Sequence, residues 1–273
     1  MAVFAHPDDE TFGSGGTLAR YAAQGCRVVL VTATKGEAGE IQDPSMRADE
    51  PIMEIRQREL KCACEVLGIE GPVYLGYRDS GMRGTPDNDH PSSFHRADLD
   101  EAAGKVVSAM RQYRPQVVIT FEPGGGYGHP DHIKAHHVTA RAFRAAGDPA
   151  CYPEQGLAPW QPSKLYYTAL PRRMFRAMAE RMRQEGTDAG GQPFDAEKMG
   201  MPDELITTEI DVSAVLDKKV EAFHCHRSQL SPHGVIARLS TESMSEFMRT
   251  EYFWRAIPEV SHPNVERDLF DGI

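Results

Sequence analysis

The chain predicts an open, mainly parallel α/β sheet of the doubly wound, Rossmann-like kind, with a C-terminal elaboration. Three observations predict it. Short runs rich in Val, Ile and Leu alternate with longer helical stretches from Ala2 to about Ala146, the signature of strand–helix–strand units. Two of those runs, Ala2-Val3-Phe4-Ala5 and Val117-Val118-Ile119-Thr120-Phe121, lead into polar clusters: His6-Pro7-Asp8-Asp9-Glu10 and Tyr127-Gly128-His129-Pro130-Asp131-His132. In open α/β sheets ligands bind outside the carboxyl ends of parallel strands, so two strands can deliver imidazoles and carboxylates to one crevice. Beyond Ala146 the alternation loosens.

Taken in order, Ala2–Ala5 is a strand, short for the opening strand of such a sheet, as expected if the true start lies upstream or the chain has been trimmed. Gly15–Gln24 is a helix and Arg27–Thr32 a β-branched strand. Met53–Leu67 is a helix stopped by Gly68, the residue that enters the left-handed region at least cost. Val73–Leu75 is a short strand. Ala97–Tyr113 is a helix opened near Asp98 and Asp100 and closed before Pro115, since the residue before a proline avoids the helical region. Gln116–Phe121 is the next strand and His132–Ala146 the helix after it. Pro149–Pro162 is turn-rich, Lys164–Ala169 a strand and Arg172–Arg183 a charged helix. The Gly-rich stretch Gly186–Gly191 reads as a loop. Ile206–Val212 is a strand, after which Ser213 caps a helix running towards His226. With no repeat and no clear linker, one domain over 1–273 is expected, its core in 1–170 and its elaboration in 171–273.

The 273 residues carry a formal charge of −10, which argues against a nucleic-acid partner, because phosphate binding needs clustered cations. No apolar stretch approaches the roughly 20 residues of a membrane span. His6-Pro7-Asp8-Asp9 interrupts the place where the apolar core of a signal peptide would lie. The five cysteines, Cys26, Cys62, Cys64, Cys151 and Cys225, form no CxxC pair, so reduced thiols in a cytoplasmic protein are the simplest expectation. Cys62 and Cys64 are two apart on a predicted helix and point in different directions, which argues against their being metal ligands. A homo-oligomer is compatible with the chain.

Pro7 discourages helix at His6 and fixes the turn after the first strand. His6 and Asp9 are three residues apart, as are His129 and His132, so each pair can reach one ion from a tight loop or helical turn. A catalytic zinc site keeps three protein ligands and one open position. Two imidazoles and a carboxylate suit zinc, with iron(II) the nearest competitor. Spacing leaves open which three of His6, Asp8, Asp9, His129, Asp131, His132 and His136 bind. A loop histidine alone is more often solvated or capping, and His136 is more often a supporting or surface residue. Two clusters behind two strands of one alternating chain shift the balance to a metal-dependent hydrolase.

These residues resemble the LmbE-like, or PIG-L, family of zinc-dependent N-acetylglucosaminyl deacetylases. The resemblance rests on Ala5-His6-Pro7-Asp8-Asp9-Glu10 and His129-Pro130-Asp131-His132. It continues through Gly15-Gly16-Thr17, Thr34-Lys35-Gly36-Glu37, Ile55-Arg56-Gln57-Arg58-Glu59-Leu60 and Arg78-Asp79-Ser80-Gly81-Met82. It covers most of Ala2 to about Tyr167; the C-terminal third matches weakly, apart from His226-Arg227-Ser228-Gln229. It implies that His6, Asp9 and His132 bind zinc and that Asp8 is the general base. A base beside a ligand, itself off the metal, can take a proton from water that zinc has acidified to a pKa of about 7. The resemblance further implies that His129 faces the developing oxyanion as a positively charged donor, with Asp131 orienting it. Asp131 as a plain helix N-cap competes with that role. Tyr127 would add a phenol donor, with packing as its plainer role; Gly124-Gly125-Gly126 would let its loop adapt. Arg56 and Asp79 would contact the sugar or its aglycone; a solvated helix face is the plainer reading of Arg56. Glu10 would orient a ligand or bridge to the backbone, and His226 would close the pocket.

The implied substrate is an amino sugar: an N-acetylglucosaminyl conjugate of inositol or malate. Tyr127 and the stretch from Asp148 to Tyr167 resemble the mycothiol branch. Thr11 to Thr17 and Glu54 to Lys61 are as similar to bacillithiol-pathway deacetylases. An amidase of larger thiol-conjugate amides is the alternative, weakened by Gly13 where that branch carries Lys. A non-catalytic sugar- or metal-binding module would lack the base, yet Asp8 is present. A nucleotide-binding Rossmann protein would need GxGxxG where His6-Pro7-Asp8 stands.

Overall fold

The structure is a computed structural model of the chain and describes residues 1–46, 49–186, 195–231, 240–260 and 265–273. Its strands are β1 (Ala2–Phe4), β2 (Val29–Thr32), β3 (Glu70–Tyr74), β4 (Val117–Phe121), β5 (Lys164–Ala169), β6 (Thr208–Asp211) and β7 (Thr250–Ile257). They form one seven-stranded sheet in the order β3-β2-β1-β4-β5-β7-β6. The first five pair in parallel, and β7 runs antiparallel to both of its neighbours. β1, β2 and β4 are buried along their whole lengths, which is why they read as continuous apolar runs rather than as alternation. The chain steps outward from β1 through β2 to β3, then returns to add β4 on the other side of β1. The gap between β1 and β4 is therefore the topological switch point, and both polar clusters open onto it.

The helices are α1 (Asp9–Phe12), α2 (Gly15–Ala23), α3 (Ile52–Leu67), α4 (Leu99–Tyr113), the short kinked turn α5 (Gly125–Gly128), α6 (Pro130–Ala145), α7 (Arg172–Glu185), α8 (Leu216–Cys225) and α9 (Thr241–Met248). α2, α3 and α8 pack together, as do α4 and α6. Local chemistry explains the boundaries. Asp98 caps α4 by accepting from the backbone N–H groups of Asp100 and Glu101, both at 2.9 Å. Gly68 ends α3 at φ 74°. α6 starts two residues earlier than expected, because Pro130 suits the first helical turn and the His129 side chain caps it. Ser213 opens only a 3₁₀ turn, Ser213–Val215, before α8. Asp211 Oδ1 takes the Ser213 N–H there at 2.8 Å.

Two features depart from the sequence reading. β7 and α9 were not expected, and β7 inserts between β5 and β6. The cysteines are not all free: Cys62 on α3 and Cys225 at the end of α8 form a disulfide across 163 residues of chain. Cys64 points the other way and is buried, and Cys26 and Cys151 are also free. The expected loop at Gly186–Gly191 lies, beyond Gly186, outside the described residues. Among the described residues no helix is long and apolar enough to cross a membrane.

Candidate active site

The turn after β1 is folded on its own side chains. The Asp9 carboxylate accepts the His6 backbone N–H at 2.7 Å. Asp8 adopts φ 113°, ψ −30°, outside the regions open to a residue with a Cβ and costing about 1–3 kcal/mol. That conformation is held from three directions. Glu10 Oε2 accepts the Asp8 N–H at 3.0 Å. Thr11 donates its N–H and its hydroxyl to the Asp8 carbonyl at 3.0 and 2.7 Å. Arg56, reaching over from α3, meets the Asp8 carboxylate at 3.3 Å and donates to the Pro7 carbonyl at 2.7 Å.

His6 Nδ1, Asp9 and His132 Nε2 converge. His6 Nδ1 lies 3.4 Å from Asp9 Oδ2 and 3.3 Å from His132 Nε2, which is 3.1 Å from Asp9 Oδ1. The opposite edge of each ring is committed elsewhere. His6 Nε2 faces Asp131 at 3.2 Å and Asp79 at 3.3 Å. His132 Nδ1 lies 3.2 Å from the Gly125 carbonyl. Two imidazoles with their outer nitrogens on carboxylate or carbonyl oxygens, and their inner nitrogens beside a third ligand, are what a divalent cation requires. His129 also brings a ring nitrogen within 4.8 Å of those of His6 and His132, and Asp79 with Asp131 forms a second group around His6. The oxygens of Asp79 and Asp131 meet the Nε2 edge of His6, behind the ring, so the His6–Asp9–His132 set fits the ion best. Burial opposes the charge on Asp9, but facing His132 and His6 outweigh it and hold the carboxyl well below its ordinary range.

The side chains around this centre are placed as follows. Burial pushes the Asp8 carboxyl up, to about 6, against the pull of Arg56. His129 Nδ1 accepts the Asp131 N–H at 3.1 Å, so its proton belongs on Nε2. Burial, then the positive charge of His6 and His132, holds His129 down at about 4. Two expectations are corrected here. The Asp131 carboxylate is not what orients His129: it accepts from the Ser80 N–H at 2.9 Å and from the Ser80 hydroxyl, and faces His6, while the Asp131 backbone N–H holds the His129 ring. Nor is Asp131 the N-cap of α6, because the helix begins at Pro130 and His129 fills that position.

Tyr127 is 71% exposed, its ring 5.2 Å from that of His132, so it stands at the lip of the site and is not a packing residue. Arg56 and Asp79 are 4% and 3% exposed and are committed to protein partners. Arg56 also donates to the Gly36 carbonyl at 3.2 Å, and a Cβ at Gly36 would collide with its guanidinium. Asp79 accepts from the Gly81 N–H at 2.8 Å and the Ala38 N–H at 3.3 Å. His136 stays out of the centre, its Nδ1 3.0 Å from the Phe121 carbonyl. His226 does not close the pocket; it is buried against Glu10, 2.6 Å away. Sequence reasoning missed Ser80 beneath Asp131, Glu37 accepting the Asp79 N–H at 3.0 Å, and Glu59 accepting the Ser228 N–H at 2.7 Å. All of them lie inside the motifs Thr34–Glu37, Ile55–Leu60, Arg78–Met82 and His226–Gln229, which was the available signal.

Fold and site define an α/β enzyme that gathers its chemistry at the sheet's switch point on histidines and carboxylates, with no glycine-rich nucleotide turn. Residues 1–143 match the family PIG-L, GlcNAc-PI de-N-acetylase. The chain belongs to that family and is an N-deacetylase. It is 41% identical, over all of its own length and 88% of the relative's, to the 1D-myo-inositol 2-acetamido-2-deoxy-alpha-D-glucopyranoside deacetylase 1 of Catenulispora acidiphila. The enzyme named without the final number in Thermobifida fusca is 43% identical over 93% of this chain and 91% of that one. Among solved structures, the N,N'-diacetylchitobiose deacetylase of Pyrococcus horikoshii superposes with a TM-score of 0.63 at 18% identity, covering 93% of this chain and 82% of that one, a likeness of fold.

Proposed function

We propose that the protein is a metal-dependent hydrolase that removes acetate from an N-acetylglucosaminyl conjugate whose aglycone is inositol. The observation that carries the chemistry is the triangle of His6 Nδ1, Asp9 and His132 Nε2, with 3.1 to 3.4 Å between members, and Asp8 beside it but outside it. The inositol aglycone is supported by the names of the relatives that match the whole chain. A His–Asp–His set suits zinc, with iron(II) next. Bound there, the ion supplies Lewis-acid activation of water and of the acetamide carbonyl.

The chain's own residues do the rest. Asp8, held up near 6 by burial, accepts the proton of the attacking water near neutral pH and returns it to the leaving amine. His129, with Nδ1 occupied by the Asp131 N–H, offers Nε2–H to the developing oxyanion. Tyr127, exposed at the lip, reaches the same side of the substrate. Asp131 and Asp79 fix the ring of His6, and Arg56 fixes Asp8. Arg56 and Asp79 meet a substrate hydroxyl by exchanging one of their protein contacts for it.

Acetate release by the zinc-loaded protein tests the reading. The substrates are N-acetylglucosaminyl-inositol, N-acetylglucosaminyl-malate and free N-acetylglucosamine, each with and without chelator. Chelator-sensitive release, fastest with the inositol conjugate, is expected. Preference for malate overturns the aglycone, and no release from any of them overturns the deacetylase reading.

A further inference from the structure

We propose that His226 is a positioning residue for the reaction: through Glu10 it holds the backbone of Asp8 in the left-handed conformation that aims its carboxylate. The inference rests on Asp8 being the base. His226 and Glu10 are 1% and 0% exposed. His226 Nε2 lies 2.6 Å from Glu10 Oε1, and the other oxygen, Oε2, accepts the Asp8 N–H at 3.0 Å. The carboxylate therefore bridges the imidazole to the one backbone N–H of the turn that has φ 113°. His226 Nδ1 is buried with no partner, so among the described residues Glu10 is the imidazole's sole hydrogen-bonding anchor. A buried ionisable pair costs desolvation on both sides and is weak evidence of stability alone. A strained base that must be held in one orientation gives this pair a purpose.

The segment that carries His226 is anchored on both sides. Cys225 is bonded to Cys62 on α3. Ser228 donates its N–H and hydroxyl to Glu59, also on α3, at 2.7 and 2.6 Å. α3 is the helix that carries Arg56 to the Asp8 carboxylate. One helix thus supports Asp8 twice, directly at its carboxylate and, through 225–228 and Glu10, at its N–H. The C-terminal third of the chain supplies the imidazole, and among the described residues none of the first 170 takes its place on Glu10 Oε1.

The test compares wild type, His226→Leu, which keeps bulk and removes the N–H, and His226→Gln, which restores a donor towards Glu10. Five quantities are read on each: melting temperature, zinc content, KM, kcat, and amide exchange of the peptide spanning 5–10 in the zinc-free protein. His226→Leu is expected to lower kcat by roughly 10- to 100-fold, as removal of an outer-shell partner does, with KM and zinc content unchanged. Exchange at 5–10 speeds up, and His226→Gln recovers most of both losses. A folded His226→Leu with wild-type kcat overturns the proposal, as does unchanged exchange at 5–10. So does a His226→Gln that recovers melting temperature but neither kcat nor exchange. Should His226→Leu not fold, Glu10→Gln replaces it: it keeps an acceptor for the Asp8 N–H without the charge that binds His226. Lowered kcat at unchanged KM supports the proposal there, and unchanged kcat overturns it. Wild type that releases no acetate defeats the deacetylase reading alone, and the exchange measurement still decides the positioning.

Discussion

Asp8 lies beside the proposed metal set of His6, Asp9 and His132, its N–H, carbonyl and carboxylate each taken by a different residue. We propose that a side chain so constrained serves proton transfer rather than ligation. Asp8→Asn keeps the shape and removes the base; kcat is expected to fall by about 10²- to 10⁴-fold while zinc content stays at the wild-type level. Full activity in the zinc-replete variant would end the base assignment. His226 gives a second prediction at this scale. Burial alone would depress its imidazole, but facing Glu10, with Asp8 and Glu59 further off, outweighs burial and raises the pKa. A raised folded-state pKa adds stability that is fully present below the unfolded value, about 6.5, and is lost as pH rises through the folded one. The stability advantage of wild type over His226→Gln is therefore expected to be largest below about pH 6.5 and to shrink as the pH rises above it. Urea unfolding at several pH values measures it; an advantage that grows with pH contradicts the pairing. The convergence of His6, Asp9 and His132 was legible in the sequence because each cluster is contiguous and follows a strand. The partner of Glu10 was not, because 216 residues separate it from His226 and periodicity carries no long-range pairing.

The elements that carry the clusters impose their own demands. Gly125, at φ 66°, brings its carbonyl onto His132 Nδ1. A Cβ there would lie 2.9 Å from both His132 Cβ and the Ile133 backbone nitrogen. Gly125→Ala is expected to destabilise by roughly 1–3 kcal/mol and to weaken zinc binding, read by competition with a chelating dye. Unaltered affinity would show that the α5 turn does not orient His132. The disulfide makes a separate demand. It ties α3 to α8 across 163 residues, and closing so long a loop restricts the unfolded chain. Cys62→Ser is expected to cost about 2–4 kcal/mol; a melting temperature equal to that of the oxidised wild type would remove this contribution. Sequence spacing judged Cys62 and Cys64 correctly as pointing apart, yet could not reveal Cys225 as a partner. β7 escaped for a related reason. Its Glu251 and Arg255 break the apolar pattern, and Glu251 is buried because it accepts the N–H groups of Gly16 and Thr17 at 2.9 and 2.7 Å, capping α2 from another strand. That charge is satisfied by a helix end more than 200 residues away in sequence and by Lys219 on α8 at 2.8 Å.

At the scale of the molecule, we propose that the elaboration over 171–273 is part of one folding unit with the core over 1–170. β7 covers the edge of β5, pairing from Leu165–Ile257 to Ala169–Tyr252. Ile210, Phe253 and Leu269 join the same buried apolar cluster as Val3, Leu30 and Val118. Tyr21 on α2 donates to Asp268 at 2.8 Å and accepts the Leu269 N–H at 2.7 Å, and Lys164 on β5 meets Glu266 at 3.2 Å. A fragment ending at Leu170 would expose the unpaired edge of β5, strip the cap from α2 and leave Glu10 without His226. An uncovered apolar edge strand invites association rather than folding. The fragment is therefore expected to show no cooperative thermal transition and to aggregate, whereas the whole chain melts in one calorimetric step with matching calorimetric and van't Hoff enthalpies. A soluble 1–170 fragment that melts cooperatively and binds zinc would divide the chain into core and accessory parts. It would also confine the elaboration's contribution to the imidazole that it brings to Glu10.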